Sequence, residues 1–295
     1  MEMAESSIPV DLFNPGQVFA CLGFVEAAEV LCGDADGVFD WSDSSNVRFL
    51  LRADGTESPV KRVLQFLSEA EVVAECPFGS HNASAWTASW GVLQTRAKEA
   101  PYPFPDPPSP ATLQAVLTAG ESQLVLDHWG DATRCDNVKF WAGAGGYPGA
   151  GLSRDALLLV RERCADAVDD PFSLSAPQSS SFRLDWRRDY IPLDAGFSLN
   201  AHAGMETAGY PLVEILGALG LSHARPKRVS KLDYRYGVVG SEPSGALWFP
   251  ASLLRAALGG ASLPFPSRRF RMFLGWPGKE GQARAITTVT EETMA

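Results

Sequence analysis

Three stretches of this chain alternate large apolar residues with charged ones, and that period of two limits the fold more than any other feature. Phe182, Leu184 and Trp186 alternate with Arg183, Asp185 and Arg187. Leu232, Tyr234 and Tyr236 alternate with Lys231, Asp233 and Arg235, and Phe270, Met272 and Leu274 stand against Arg269 and Arg271. Successive side chains of a strand leave on opposite faces, so the pattern predicts three half-buried strands sharing an apolar face and a cationic face. Such strands belong to an antiparallel sheet with one side on the core and one wet. The expected fold class is therefore α+β, with antiparallel sheets packed with helices and the sheet dominating the second half.

Helical punctuation lies between and before these strands. "NPGQVFACLGFVEAAEVLCG" predicts a helix with Asn14 as N-cap, Pro15 at the first helical position and Gln17 reaching back in a capping box. "SPVKRVLQFLSEA" repeats the Ser-Pro start, and Ser109-Pro110 predicts a third helix ending at Gly120. "SQLVLDHW" and "NVRFLLRA" read as strands. A glycine-rich loop before Ser153 leads into a helix capped by that serine, and "GYPLVEILGALGL" and "PASLLRAALG" are further helices.

The run "APYPFPDPPSP" at 100–110 holds six prolines, which forbid helix and ladder pairing. It divides the chain into an acidic N-terminal α/β part at 1–100, a Pro-rich connection at 101–110 and a sheet-rich part at 111–295 carrying the basic face; the two parts can equally form one compact unit. Residues 1–170 carry 11 Lys/Arg against 25 Asp/Glu, whereas residues 171–295 carry 14 against 10. A net charge of −10 argues against a freestanding nucleic-acid binder, while the uneven distribution suits one anionic partner among protein neighbours. An ordinary sheet whose wet side is charged, with Asp185 and Asp233 as cross-strand partners, explains the same pattern.

Specific catalytic motifs are missing from the sequence. Gly278-Lys279 lacks the spaced glycine of a phosphate loop, and "GAGGYPGAG" places Pro148 where a dinucleotide fingerprint needs its third glycine. Five cysteines, scattered and odd in number, read as free thiols in a reducing compartment. The four histidines have no metal-ligand spacing. Asp127, His128, Asp131 and Asp136 lie close in "DHWGDATRCD", where hard-cation or acid/base chemistry competes with a polar loop after a strand. The expectation is no enzyme activity, no catalytic or metal-binding residue and no cofactor. An acidic start and short apolar segments add a cytoplasmic protein without membrane spans.

"NPGQVFACLGFVEAAEVL", "KFWAG", "FRLDWRRDYIPLDAGFS" and "YPLVEILGALGLSHARP" together resemble the CRISPR-associated protein of type I-U (I-G) Cascade effector complexes, the roughly 300-residue component assigned as a reduced large subunit. The likeness runs in order from about residue 8 to residue 275, departing at "AGGYPGAG" after "WAG", where the family is glutamine-rich. It implies an antiviral, non-enzymatic subunit of an RNA-guided surveillance complex. The implied partners are guide RNA, target DNA, the other Cascade subunits and a recruited helicase-nuclease; the implied role is recognition of the flanking motif and stabilisation of the R-loop. It also implies elements of the RRM/ferredoxin-like fold. A backbone subunit contacting mainly other proteins and guide RNA is the first alternative, and a metal-dependent nuclease using the Asp127–Asp136 cluster the second.

The residues expected to meet phosphates are Arg183, Arg187, Arg188, Lys231, Arg235, Arg268, Arg269 and Arg271, with Lys139 beside Trp141. Trp86, Trp90 and Trp141 are the expected stacking or wedge residues, their competing role being core or subunit-interface anchors.

Overall fold

The computed structural model describes residues 2–80, 95–98, 110–129, 148–178, 180–187, 207–241, 247–275 and 284–293. In chain order it contains β1 (Met3–Pro9), α1 (Pro15–Leu31), β2 (Ala35–Asp40), β3 (Arg48–Asp54), α2 (Pro59–Glu69), β4 (Glu71–Pro77), β5 (Thr95–Lys98), β6 (Gln114–Ala119) and β7 (Ser122–Leu126). There follow α3 (Gly149–Cys164), β8 (Ala176–Pro177), β9 (Ala208–Gly209), α4 (Pro211–His223), β10 (Lys227–Ser230), β11 (Asp233–Ser241), β12 (Phe249–Pro250), α5 (Ala251–Leu258), β13 (Ser267–Gly275) and β14 (Ala285–Glu292). The fold is α+β, as the alternation predicts.

Eight strands form the large sheet, in the order β1-β3-β2-β11-β13-β14, with β10 also pairing with β11 and β12 with β2. A four-stranded sheet runs β5-β4-β6-β7, and β8 pairs with β9. Pairing is antiparallel except between β2 and β11 and between β4 and β5. The large sheet draws β1, β2 and β3 from before the Pro-rich stretch and β10 to β14 from after it, and one apolar core contains residues from both sides.

Helix α1 lies at the centre of that core. Every residue from Pro15 to Ala28 is buried, so the helix has no polar face to turn outward and must be surrounded. Its closest neighbour is α4, buried from Pro211 to Leu221. The two backbones approach because glycines face the crossing: a Cβ on Gly23 would overlap the Leu216 carbonyl, and one on Gly220 the Phe19 carbonyl. Phe19 meets Tyr236 of β11 edge-on at 5.9 Å, and the Tyr236 hydroxyl donates to the Leu12 carbonyl at 2.7 Å. That bond gives the buried phenol its partner and ties the sheet to the segment leading into α1.

Four local expectations need correction. Residues after Pro110 form a single 3-10 turn and then strand β6, because Gly120, at φ 57°, closes a hairpin with β7. Asn14 precedes α1 without capping it through its side chain, and the Gln17 side chain accepts from the Asp11 N–H at 2.7 Å. Ser153 lies inside α3, where its hydroxyl donates to the Gly149 carbonyl at 3.0 Å; Pro148 is the N-cap. Most consequentially, residues 180–187 form no strand, and Arg183 has φ 63°. The helices beginning at Pro15, Pro59, Pro211 and Ala251 stand where the sequence places them, and the Ser58 hydroxyl accepts from Lys61 N–H at 3.2 Å.

Candidate nucleic-acid interface

The segment 181–187 owes its irregular path to buried carboxylates. Phe182 and Leu184 point into the core, as alternation requires, and Asp185 is buried beside them instead of facing water. Glu214, on the first turn of α4 and also buried, accepts the backbone N–H groups of Leu184 at 3.1 Å and Asp185 at 3.0 Å. These donors have no ladder partner, so the carboxylate does for them what a neighbouring strand would have done. Asn14 Nδ2 donates to Asp185 Oδ1 at 2.9 Å.

Arg187 closes the arrangement. Its Nη2 donates to Asp185 Oδ2 at 2.6 Å and to the Phe172 carbonyl at 2.7 Å, its Nε donates to Asp185 Oδ1 at 3.1 Å, and its guanidinium lies 3.6 Å from the Tyr210 ring centroid. A fork held by a buried carboxylate and stacked on an aromatic face is a structural clasp. Arg187 thus has its fork engaged by its own chain. The clasp also explains why Gly16 is needed, since a Cβ there would lie 2.5 Å from the Leu184 carbonyl oxygen. Residues of "NPG", "LDWR" and "YPLVE" thus meet at one place, although up to 200 residues separate them in the chain.

Of the other two alternating stretches, 233–236 falls in β11 and 269–274 in β13, and these strands are neighbours, whereas Lys231 and Leu232 form the turn before β11, Leu232 at φ 65°. Arg235 stands opposite Arg271, and Lys227 of β10 opposite Arg235, giving a row of cations across three strands. Tyr234, Tyr236, Phe270 and Met272 are buried on the other side, as predicted. Carboxylates partly neutralise the row. Arg271 donates to Asp233 at 2.6 and 2.9 Å and Arg235 Nη2 to Glu292 at 2.7 Å; Arg268, which leaves β13 on the Phe270 side, donates to Glu291 at 2.6 and 2.7 Å. The Arg271 hydrogen bonds hold the Asp233 carboxyl below its usual range, and those from Arg268 do the same for Glu291.

Arg235, Arg268 and Arg271 therefore spend their forks on their own chain, which corrects the expectation that they stand ready for phosphates. Arg269 and Lys231 form no ion pair among the described residues, and neither do Lys227 and Arg228 of β10, whose four residues are all exposed. These last two were not among the expected residues. The density of "ARPKRVSK", four cations in eight residues, was the available signal. Arg183 is half-buried in the 181–187 segment, which belongs to no strand. Arg188, Lys139, Trp86, Trp90 and Trp141 lie outside the described residues.

Of the acidic cluster, Asp131 and Asp136 lie outside the described residues. Burial raises the Asp127 carboxyl, and its backbone N–H donates to the Ser222 hydroxyl at 3.0 Å. His128 is fully enclosed, 4.9 Å from the Trp129 ring and 5.4 Å from Phe182, with neither ring nitrogen hydrogen-bonded. Burial pushes its imidazole down to about 3. Among the described residues no three acidic, histidine or cysteine side chains cluster as metal ligands, and no helix is long and apolar enough to cross a membrane. Cys21 and Cys164 are buried free thiols, Cys76 is buried, and Cys32 is half-buried.

The fold and this surface define an α+β protein with a cationic margin at β10. No family model, no curated protein and no solved structure matches the chain.

Proposed function

We propose that this chain is a non-enzymatic subunit of an RNA-guided surveillance complex of CRISPR type I-U (I-G), acting in the cytoplasm with a large-subunit-like role. In that role it holds target DNA beside the guide RNA within a shell of other subunits, and a separate helicase-nuclease supplies the cutting. Base pairing reads the sequence in such an assembly, so this subunit needs only backbone contacts and a rigid surface. The convergence of the motif segments supports the resemblance: likeness at residues that form one buried clasp concerns a shared architecture, whereas likeness among scattered apolar helices would not.

The observation that carries the nucleic-acid side of the reading is the group of cations without carboxylate partners among the described residues, Lys227, Arg228, Lys231 and Arg269, beside the row formed by Arg235 and Arg271. Phosphate oxygens are the natural acceptors for these charges, and the acidic remainder of the chain repels a nucleic acid from elsewhere. In the assembled complex, Lys227→Ala with Arg228→Ala and Lys231→Ala leaves assembly intact. It lowers target-DNA affinity and reduces the slope of log affinity against log salt by about 2 to 3, near 0.9 for each phosphate no longer neutralised. An unchanged slope refutes the reading. Failure to assemble transfers weight to the backbone-subunit alternative, which the carboxylate-paired arginines favour.

A further inference from the structure

Phe273 of β13 stands among charges. Its strand neighbours Met272 and Leu274 are buried, and the Phe273 ring leaves from the opposite side, the side that carries Arg269 and Arg271. Asp233 lies directly opposite it on β11 and the exposed Thr288 on β14. Phe273 is half-buried and lies apart from the apolar core formed by the described residues, and the Arg271 guanidinium sits 5.2 Å from its ring centroid.

The surroundings of the ring form one continuous surface. Lys227, Arg235 and Arg271 occupy a single register line across β10, β11 and β13, and the exposed Thr290 continues it on β14. Residues two apart along a strand are about 7 Å apart, so this line passes within one such step of Phe273. Asp233 and Glu292 on the same side are held by Arg271 and Arg235, and in holding them fix the guanidinium planes. Farther along, α5 closes this side: Gly237 and Val239 are buried, and a Cβ on Gly237 would come 2.8 Å from the Ala257 carbonyl oxygen. The accessible part therefore combines an aromatic ring, a line of cations and the exposed threonines of β14.

Cations alone accept paired and unpaired DNA alike, because both carry phosphates along their backbones. The ring separates the two. In a duplex every base face is stacked on its neighbours and only edges and phosphates point outward, whereas an unpaired strand can turn a base onto an aromatic side chain. An arginine beside the ring adds a second planar surface and a positive charge. We propose, resting on the nucleic-acid reading above, that the DNA held by this surface is single-stranded and that Phe273 is its stacking residue. One base lies on the Phe273–Arg271 pair, and the neighbouring phosphates follow the line of Arg235 and Lys227.

The test uses the full chain at about 50 mM salt and the fluorescence anisotropy of labelled probes about twelve nucleotides long. The probes are a thymidine strand, its abasic counterpart with the same phosphates and no bases, a blunt duplex and a uridine strand. The thymidine strand is expected to bind about 5- to 150-fold more tightly than the abasic one, the range for one stacked base, and more tightly than the duplex. Phe273→Leu, a change outside the core, brings the thymidine and abasic strands to equal affinity without altering the salt slope, and Phe273→Trp retains the preference. Lys227→Ala with Arg228→Ala and Lys231→Ala does the reverse, lowering the slope and keeping the preference. Equal binding of thymidine and abasic strands by the parent overturns the proposal, as does a preference that survives in Phe273→Leu or tighter binding of the duplex or the uridine strand; in each case salt-dependent binding leaves the phosphate reading standing. A chain that binds none of the probes overturns both.

Discussion

The carboxylate of Glu214 accepts the backbone N–H of Asp185 at 3.0 Å, and through it α4 holds in place a segment that belongs to no sheet. The same carboxylate accepts Leu184 N–H at 3.1 Å. Glu214→Ala strands both donors in the interior at about 1–3 kcal/mol each. A lower thermal midpoint by calorimetry is expected, with Glu214→Gln, which keeps one acceptor oxygen, losing less.

The Asp185–Arg187 pair extends that dependence to a charge. Removing one member of a fully buried pair costs about 3–5 kcal/mol, most of it from the partner left behind. The buried member here is Asp185, while the Arg187 side chain is 28% exposed, so Asp185→Ala is expected to lower unfolding stability in urea by less than that amount, and Asp185→Ala with Arg187→Met loses less than the two single changes added together. Arg187→Ala alone acts on stability and leaves the salt dependence of nucleic-acid binding unchanged. A reduced salt slope in Arg187→Ala contradicts the clasp.

His128 makes stability depend on acid. Its imidazole titrates near 3 in the folded protein and near 6.5 when unfolded, so below about 6.5 the unfolded chain binds the proton that the native chain refuses. The contribution is complete above the unfolded value and disappears as pH falls toward the folded one, by up to about 1.4 kcal/mol for each pH unit. His128→Phe keeps the aromatic packing on Trp129 and Phe182 and removes a buried N–H without a partner. The variant is expected to be at least as stable as the parent at pH 7, and its advantage in denaturant titrations widens between pH 6.5 and pH 4. Parallel pH profiles for the two proteins count against this account.

Gly23 permits the crossing of α1 and α4. Gly23→Ala drives a methyl group into the Leu216 carbonyl, and backbone cannot swing aside as a side-chain tip can. A loss of about 1–3 kcal/mol is expected by chemical denaturation, the range for overpacked cores. Gly55→Ala makes a useful comparison, since a Cβ there meets nothing within 4 Å; it loses stability only through its φ of 121°.

Where the chain's local chemistry and its burial agree, the sequence was readable. Ser58-Pro59, Tyr210-Pro211 and Asn14-Pro15 start helices because proline's fixed φ suits the first turn. The alternation in β13 survives because one side of that strand meets the core and the other does not; in β11 it is confined to Arg235, since Asp233, Gly237 and Val239 on the same side are buried too. The same grammar at 181–187 misleads. Phe182 and Leu184 do turn inward, but Asp185 follows them, since Asn14 and Arg187 offset the cost of burying its charge and Glu214 takes the backbone donors. None of those partners is local apart from Arg187. The helix expected after Pro110 failed similarly, because β4 and β7 on either side reward an extended conformation that the short apolar run does not itself demand.

The division at the candidate surface follows the same logic. The order of residues alone determined that the positive charge gathers beyond residue 170 and that Arg269 and Arg271 share one side of their strand, because charge count and period-two projection are properties of a single stretch of chain. Only the tertiary structure decided which of those cations are spent: Arg187, Arg235, Arg268 and Arg271 meet carboxylates delivered by turns or neighbouring strands, while Lys227, Arg228, Lys231 and Arg269 meet none among the described residues. A guanidinium's availability depends on what lies within about 3 Å of it, and chain folding sets that distance between residues far apart in sequence.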